Sequence, residues 1–329
     1  MTLDVDVRLE LSAFHLAARF TVGDGVTALF GPSGSGKSTL LSVIAGLKRS
    51  RGHVYLASRT LAHCGTRTHL PPHKRNIGLV FQDTRLFPHL TARQNIAFAW
   101  SRAARSARPQ LEDVARFFDI AGQLDRPIGN LSGGEKSRVA LARAVAAAPD
   151  FLLLDEPFAA LDGMRRRAFI QVLLAMHRNY RLPMMVVTHD IEDAAALASH
   201  LVALKDGQVV ANGAFAEASA QPEFQALLDA RDTGAAVPAQ LLRSRHEGQS
   251  LWLRADQVLL ATEAPRSISA RNILPGAVRA VTIEGDRSCL IALATDIGTI
   301  LSRVTPEAVD ELGLKPGKVA WALVKAHAP

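Results

Sequence analysis

The sequence predicts an α/β chain: a mostly parallel sheet with helices on both faces, followed by a small closed β-barrel. Three observations carry this. Up to about residue 211, short apolar runs of strand length alternate with stretches of helical spacing. A glycine-rich turn at residues 31–38 separates one such run from an amphipathic helical stretch. From about residue 265 the pattern changes to short strands broken by turns, with one short helix.

In chain order, residues 26–30 form a buried strand ending at Gly31, and helical spacing follows through Leu40, Leu41, Ile44 and Leu47. Residues 77–81 are a second strand, ending at Gln82, and the region from about 86 to 149 reads as mostly helical. Runs at 151–154, 184–187 and 201–204 are further strands, and Asp206-Gly207 turns tightly into 208–211. Strands alternating with helices imply a parallel sheet covered on both faces. Residues 232–236 read as linker. Strands are expected at 278–283, 289–293, 300–304 and 319–324, with one helix that has Thr305 as N-cap, Pro306 at its first position and Gly313 past its end. That set suggests a barrel of the oligonucleotide/oligosaccharide-binding type.

The 329 residues suffice for about two domains. With 48% apolar and 21% charged residues, the chain is expected to pack a core rather than remain disordered. A net charge of +7 favours anionic partners without choosing among them. Cys64 and Cys289, the two cysteines, cannot build a disulfide framework, which suits a reducing cytosol. The first residues lack the basic start and apolar run of a signal peptide. No segment approaches the ~20 apolar residues of a membrane span. A soluble polypeptide is expected, with any membrane role exercised through a partner.

The turn Gly31-Pro32-Ser33-Gly34-Ser35-Gly36-Lys37-Ser38 fits the phosphate-binding pattern G-x-x-x-x-G-K-[ST] at every fixed position, between a strand and a helix. Gly34 and Gly36 let backbone N–H groups face β- and γ-phosphate oxygens, Lys37 adds a point charge, and Ser38 offers a hydroxyl to Mg²⁺. Asp155 and Glu156 directly follow an apolar strand, at the carboxyl end where ligands sit in such sheets. Two adjacent acids suit two tasks, Asp155 for Mg²⁺ and Glu156 for an attacking water. Leu131-Ser132-Gly133-Gly134-Glu135 is a capping box. Two glycines in its first turn nevertheless cost about 1 kcal/mol each relative to Ala, and their use is to let an anion approach the N–H groups.

The ordered set of 31–38, Gln82, 131–135, Leu152-Leu153-Leu154-Asp155-Glu156-Pro157, Ala160-Leu161-Asp162 and His189 resembles the nucleotide-binding subunits of ABC transporters over about the first 230 residues. The resemblance implies a P-loop NTPase domain with a RecA-like sheet at 1–230, carrying a helical subdomain at about 84–148. It implies ATP and Mg²⁺ as ligands, with Ser38, Gln82 and Asp155 at the metal and Glu156 and His189 as catalytic residues. A homodimer is implied, in which Ser132, Gly133 and Gly134 of one copy meet the γ-phosphate held by the other and Asp162 couples the two sites. Phe14 is either an aromatic platform for adenine or core packing.

Two further segments narrow the resemblance to molybdate importers. Residues 70–78 with 80–90, including Asp83 and Arg85, resemble their ATPases. Residues 265–329 resemble the molybdate-binding Mop barrel, a TOBE-like domain, with 231–264 as a connecting segment. A tetrahedral dianion offers only acceptors, so donors suit it: Ser267, Ser269, Arg271, Asn272 and Lys325, with Ala270 among them. Sulfate and tungstate present the same acceptors. The alternative is a barrel that only dimerises, in an importer of sulfate, iron, polyamine or another solute.

The resemblance places the protein at the cytoplasmic face of the inner membrane. There it would bind permease subunits and, through them, a periplasmic or extracytoplasmic molybdate-binding protein. DNA-repair and ribosomal ABC ATPases would need a coiled-coil insertion or a second ATPase core, and a pure molybdate store needs no Glu156 or His189. His63, Cys64, His69 and His73 fit no zinc spacing. Arg102, Arg105 and Arg108 read as a solvated helix face, so no nucleic-acid partner is expected.

Overall fold

The structure, a computed structural model, describes residues 1–11, 14–103, 109–159, 161–239, 242, 249–284 and 287–325. Its first element, β1 (Leu3–Leu11), alternates strictly between apolar and polar residues, and Leu3, Val5 and Val7 are fully buried. It pairs antiparallel with β2 (Phe14–Val22) from Leu3↔Val22 to Leu11↔Phe14. After β3 (Val26–Phe30) and α1 (Lys37–Ile44), β4 (Arg51–Leu56) pairs antiparallel with the other edge of β1. Then come β5 (Arg59–His63) and β6 (Thr68–His69), also antiparallel. This antiparallel half is an addition to the parallel sheet expected from buried runs alone.

A short α2 (Pro72–Arg75) leads into β7 (Ile77–Val80). The helical region contains α3 (Ala92–Trp100), α4 (Leu111–Phe117) and α5 (Gly133–Ala146). Thr91 caps α3, and buried Asn95 bonds the backbone N–H and C=O of Phe87, fixing the loop before the helix. Next follow β8 (Phe151–Asp155), α6 (Gly163–Tyr180), β9 (Met184–Thr188), α7 (Ile191–Leu197), β10 (His200–Lys205) and β11 (Gln208–Ala214).

The large sheet has the order β6-β5-β4-β1-β2-β11-β10-β3-β9-β8-β7. Strands β3, β9, β8 and β7 are successively parallel. Their carboxyl ends therefore share one edge, which delivers Gly31, His189, Asp155 and Gln82 to the same side. Leu40, Leu41 and Ile44 of α1 pack into a core with Leu29, Leu153 and Val187. Each such side chain contributes roughly 1.5–3 kcal/mol by leaving water.

Two compact units emerge, residues 1–189 with 202–210, and residues 190–201 with 211–329. In the second, α8 (Phe215–Ser219) and α9 (Pro222–Gln225) precede β12 (Gly234–Pro238) and β13 (Ser250–Arg254), which form an antiparallel hairpin. The stretch 231–264, expected as a connection, therefore carries paired strands, and Trp252 donates its indole N–H to Asp232 O at 2.8 Å. The hairpin packs against α7.

The remaining elements are β14 (Leu259–Ala261), β15 (Asn272–Glu284), β16 (Ser288–Thr295), β17 (Gly298–Val304), α10 (Pro306–Glu311) and β18 (Val319–Val324). Thr305 caps α10, as expected, by accepting the Ala308 N–H. The five strands form one sheet, β14-β18-β15-β16-β17, in which β14 and β17 are separate edges. The expected closed barrel is thus a half-barrel. A bulge between Val278 and Ala280 bends β15, and the β12–β13 hairpin lies against β17 where closure would occur.

Candidate functional site

The turn between β3 and α1 is shaped by close approach. A Cβ on Gly31 would lie 2.1 Å from Leu204 O, and one on Gly36 would lie 2.4 Å from the Phe14 ring. Phe14 thus packs directly on the turn. Gly34 and Gly36 have φ of 81° and 102°, the left-handed region that glycine enters without penalty. Pro32, Ser33 and Gly34 are exposed, whereas Ser35 is buried and its Oγ has no hydrogen-bond partner among the described residues.

Helix α1 starts with no side-chain cap, so the N–H groups of its first turn remain available to an anion. Lys37 Nζ donates to Gly31 O and Pro32 O, each at 2.8 Å. Burial lowers the Lys37 pKa, against the opposing pull of Glu156 and Asp155. Across the turn, Ser38 Oγ donates to Asp155 Oδ1 at 3.1 Å. Burial raises the Asp155 pKa above its ordinary value, the Ser38 bond opposes this, and Glu156 adds to it. An ammonium, a hydroxyl and a carboxylate around an uncapped helix start fit a nucleotide phosphate with Mg²⁺, Ser38 and Asp155 being suited to the metal.

Glu156 has φ 47°, a left-handed conformation rare outside glycine, directly after β8. His189 follows β9, and its Nδ1 lies 3.6 Å from Glu156 Oε2. The structure therefore joins four of the expected residues, Lys37, Ser38, Asp155 and Glu156, and sets His189 beside them. Gln82 is exposed in the turn after β7.

Ser132 caps α5 in a two-way box: its Oγ accepts from Glu135 N at 3.3 Å, and Ser132 N donates to Glu135 Oε2 at 2.8 Å. Those bonds from Ser132 hold the Glu135 pKa below the usual carboxylate value. A Cβ on Gly133 or Gly134 would meet nothing within 4 Å. Among the described residues, nothing calls for glycine there. Asp162 caps α6 by accepting from Arg165 N at 3.0 Å, while Ala160 lies outside the described residues.

In the second unit, Ser267, Ser269 and Arg271 are exposed in the loop before β15, Ala270 is partly exposed, and Asn272 is buried. Asn272 pairs with Val324 on β18, so exposed Lys325 follows at the same end of the sheet. Ser267 takes φ 56°, and no carboxylate occurs within 266–272.

Among the described residues there is no group of three or more metal-ligating side chains. His63 instead accepts from Thr66 N, and His69 lies 3.4 Å from Arg75. Arg102 stacks on Phe98, whereas Arg105 and Arg108 lie outside the described residues. Sequence reasoning passed over Arg143, a cation whose neighbours one turn away along α5 are Val139, Ala140, Ala146 and Ala147, and which binds the loop after Gln82. Its placement among apolar positions was the available signal. Among the described residues, no helix is long and apolar enough to cross a membrane.

The ABC transporter family model matches residues 18–159, and the TOBE domain model matches 268–328. The chain is 37% identical to the molybdenum import ATP-binding protein ModC of Rhizobium meliloti (strain 1021), covering 100% of this chain and 99% of the relative. It is also 37% identical to the protein of that name from Rhodospirillum rubrum, over 98% and 96% of the two chains. Among solved structures it resembles a dimeric post-hydrolysis state of the ATP-binding cassette MJ0796 bound to ADP and Pi. The TM-score is 0.56 at 28% identity, over 65% of this chain and 99% of that one. It also resembles cbiO1 from Clostridium perfringens, part of the transporter complex cbiONQ, with TM-score 0.56 and 25% identity over 68% and 92% of the chains.

Proposed function

Since this chain belongs to the molybdenum import ATP-binding proteins of the ABC transporter family, we propose that it hydrolyses ATP to energise molybdate import. The observation that carries the ATPase reading is the Ser38–Asp155 pair at 3.1 Å beside Lys37, in front of an uncapped helix. On ATP binding, Lys37 Nζ exchanges the Gly31 and Pro32 carbonyls for phosphate oxygens. Ser38 and Asp155, with Gln82, would hold Mg²⁺, which would neutralise developing phosphate charge. Glu156 accepts a proton from the attacking water, and His189 holds that water and the γ-phosphate in line.

The chain acts as a homodimer. Ser132, Gly133 and Gly134 of a second copy close each site, and Asp162 couples the two. The open surroundings of both glycines among the described residues support this, because a close approach from outside the chain gives them a use. The dimeric form of the MJ0796 cassette supports it as well. Closing on ATP and parting after hydrolysis then does work on permease subunits at the inner face of the membrane. A molybdate-binding protein outside supplies the cargo.

Residues 1–230 are the ATPase domain, 231–264 connect, and 265–329 form an oxyanion-binding regulatory module. Ser267, Ser269, Arg271, Asn272 and Lys325 are its donors, while Phe14 serves as packing on the phosphate turn at Gly36. Calorimetric titration of the full chain with molybdate, tungstate and sulfate tests the cargo. Heat with molybdate and tungstate but not sulfate supports it. Equal heats for all three, or none, remove molybdate as the regulatory ligand and leave the ATPase reading intact.

A further inference from the structure

Arg143 lies on α5, the helix that begins at Ser132, and its side chain leaves that helix. Nη1 donates to Arg85 O at 2.9 Å and Nη2 to Thr84 O at 3.2 Å, and the guanidinium sits 5.4 Å from the Phe87 ring centre. Among the described residues no carboxylate pairs with it, so its charge serves two backbone carbonyls. Burial lowers its pKa, as suits a cation enclosed without a carboxylate.

The two carbonyls belong to unusual residues. Thr84 and Arg85 have φ of 56° and 42°, consecutive left-handed conformations at side chains that disfavour them, one of them β-branched. Local contacts tighten the turn: Thr84 N donates to Phe81 O at 2.9 Å, Arg85 Nε meets Asp83 at 3.1 Å, and Arg85 stacks 3.7 Å over Phe81. Gln82 lies inside this turn. A strained turn persists only where its surroundings hold it, and Arg143 supplies such a hold from outside the turn.

We infer that Arg143 is a positioning residue for hydrolysis: it clamps the strained turn after Gln82 to the helix that presents Ser132, so that the two move as one. The inference rests on the ATPase reading, in which Gln82 reaches the metal and Ser132 the partner's nucleotide. A lysine keeps the charge but, as a single ammonium, lacks the planar fork that serves two carbonyls.

The test is steady-state ATP hydrolysis by the full chain, comparing wild type, R143K, R143M and the double variant T84G/R143M, with ATP and Mg²⁺ varied separately. KM for ATP should stay within about twofold, because the 31–38 turn is untouched, while kcat falls about tenfold in R143M and less in R143K. Half-saturating Mg²⁺ should rise about threefold, since Gln82 is no longer held. T84G should restore kcat about threefold in the R143M background, because glycine takes positive φ without a clamp. Should R143M not fold, R143K and T84G/R143K decide.

Unchanged kcat and Mg²⁺ dependence in R143K, beside an active wild type, would overturn the inference. So would kcat and KM worsening together with no rescue by T84G, which marks a merely structural residue. No hydrolysis by wild type would instead overturn the ATPase reading, and this inference with it.

Discussion

Replacing Gly36 by alanine perturbs the phosphate turn in two separable ways. Gly36 has φ 102°, and an L side chain in the left-handed region costs about 1–2 kcal/mol. The new Cβ would also lie 2.4 Å from Phe14 Cζ and 3.0 Å from Cε1, so the ring must shift. Overpacking of that kind costs about 1–3 kcal/mol. The sum is about 2–5 kcal/mol; the turn relaxes to escape it when free and must be restored to hold phosphate, so at about 1.4 kcal/mol per tenfold nucleotide affinity falls at least about 30-fold. Gly34→Ala is the control: φ is 81° but nothing lies within 4 Å, so only the backbone cost applies, about tenfold. Titration of each full-length variant with Mg·ATP by calorimetry measures both. Adding Phe14→Ala to Gly36→Ala should return the packing share and leave the backbone share. Binding by Gly36→Ala within about threefold of wild type, or as tight as Gly34→Ala, would refute the reasoning.

Three further outcomes are expected. Burial raises the Asp155 pKa above 3.8. The native state therefore binds more protons than the unfolded chain between that value and the raised one, and stability falls as pH rises through this window. Asp155→Asn should raise the thermal midpoint at pH 7, lose that advantage below about pH 4, and abolish Mg²⁺-dependent turnover; a lower midpoint at pH 7 would count against it. Gly133→Ala and Gly134→Ala should each stabilise α5 by up to about 1 kcal/mol and still cut hydrolysis about tenfold or more. Retained hydrolysis would mean that no nucleotide approaches these positions. Glu156→Gln should bind ATP normally and lose about 10²–10⁴ in turnover, while near-wild-type turnover would remove Glu156 as the base.

Much of the ATP site was legible because its residues follow short buried strands. Strands β8 and β9 are apolar runs that end at Asp155 and Thr188, β7 leads through Phe81 to Gln82, and β3, apolar but for Thr27, leads into the glycine turn at Gly31. The antiparallel half was less visible because β1 is half-exposed: its acids alternate with Leu3, Val5 and Val7, a period-two signal rather than a run. The β12–β13 hairpin falls in a stretch whose Gly234-Ala235-Ala236 start reads as linker, and only the packing of Trp252 and α7 makes it a fixed element. Phe14 illustrates a different limit. An aromatic ring before a glycine-rich turn is visible in sequence, but its packing on Gly36 is a property of the β1–β2 register. Arg143 acts on carbonyls, which carry no side-chain signature to match it with.

The most direct test of a shared nucleotide is the mass in solution of the full chain carrying Glu156→Gln, measured by light scattering with Mg·ATP and with ADP. Saturating Mg·ATP should double the mass from the 35.3 kDa of one chain, and ADP should not. A single-chain mass at full ATP occupancy, unchanged when the permease complex is added, would contradict the account.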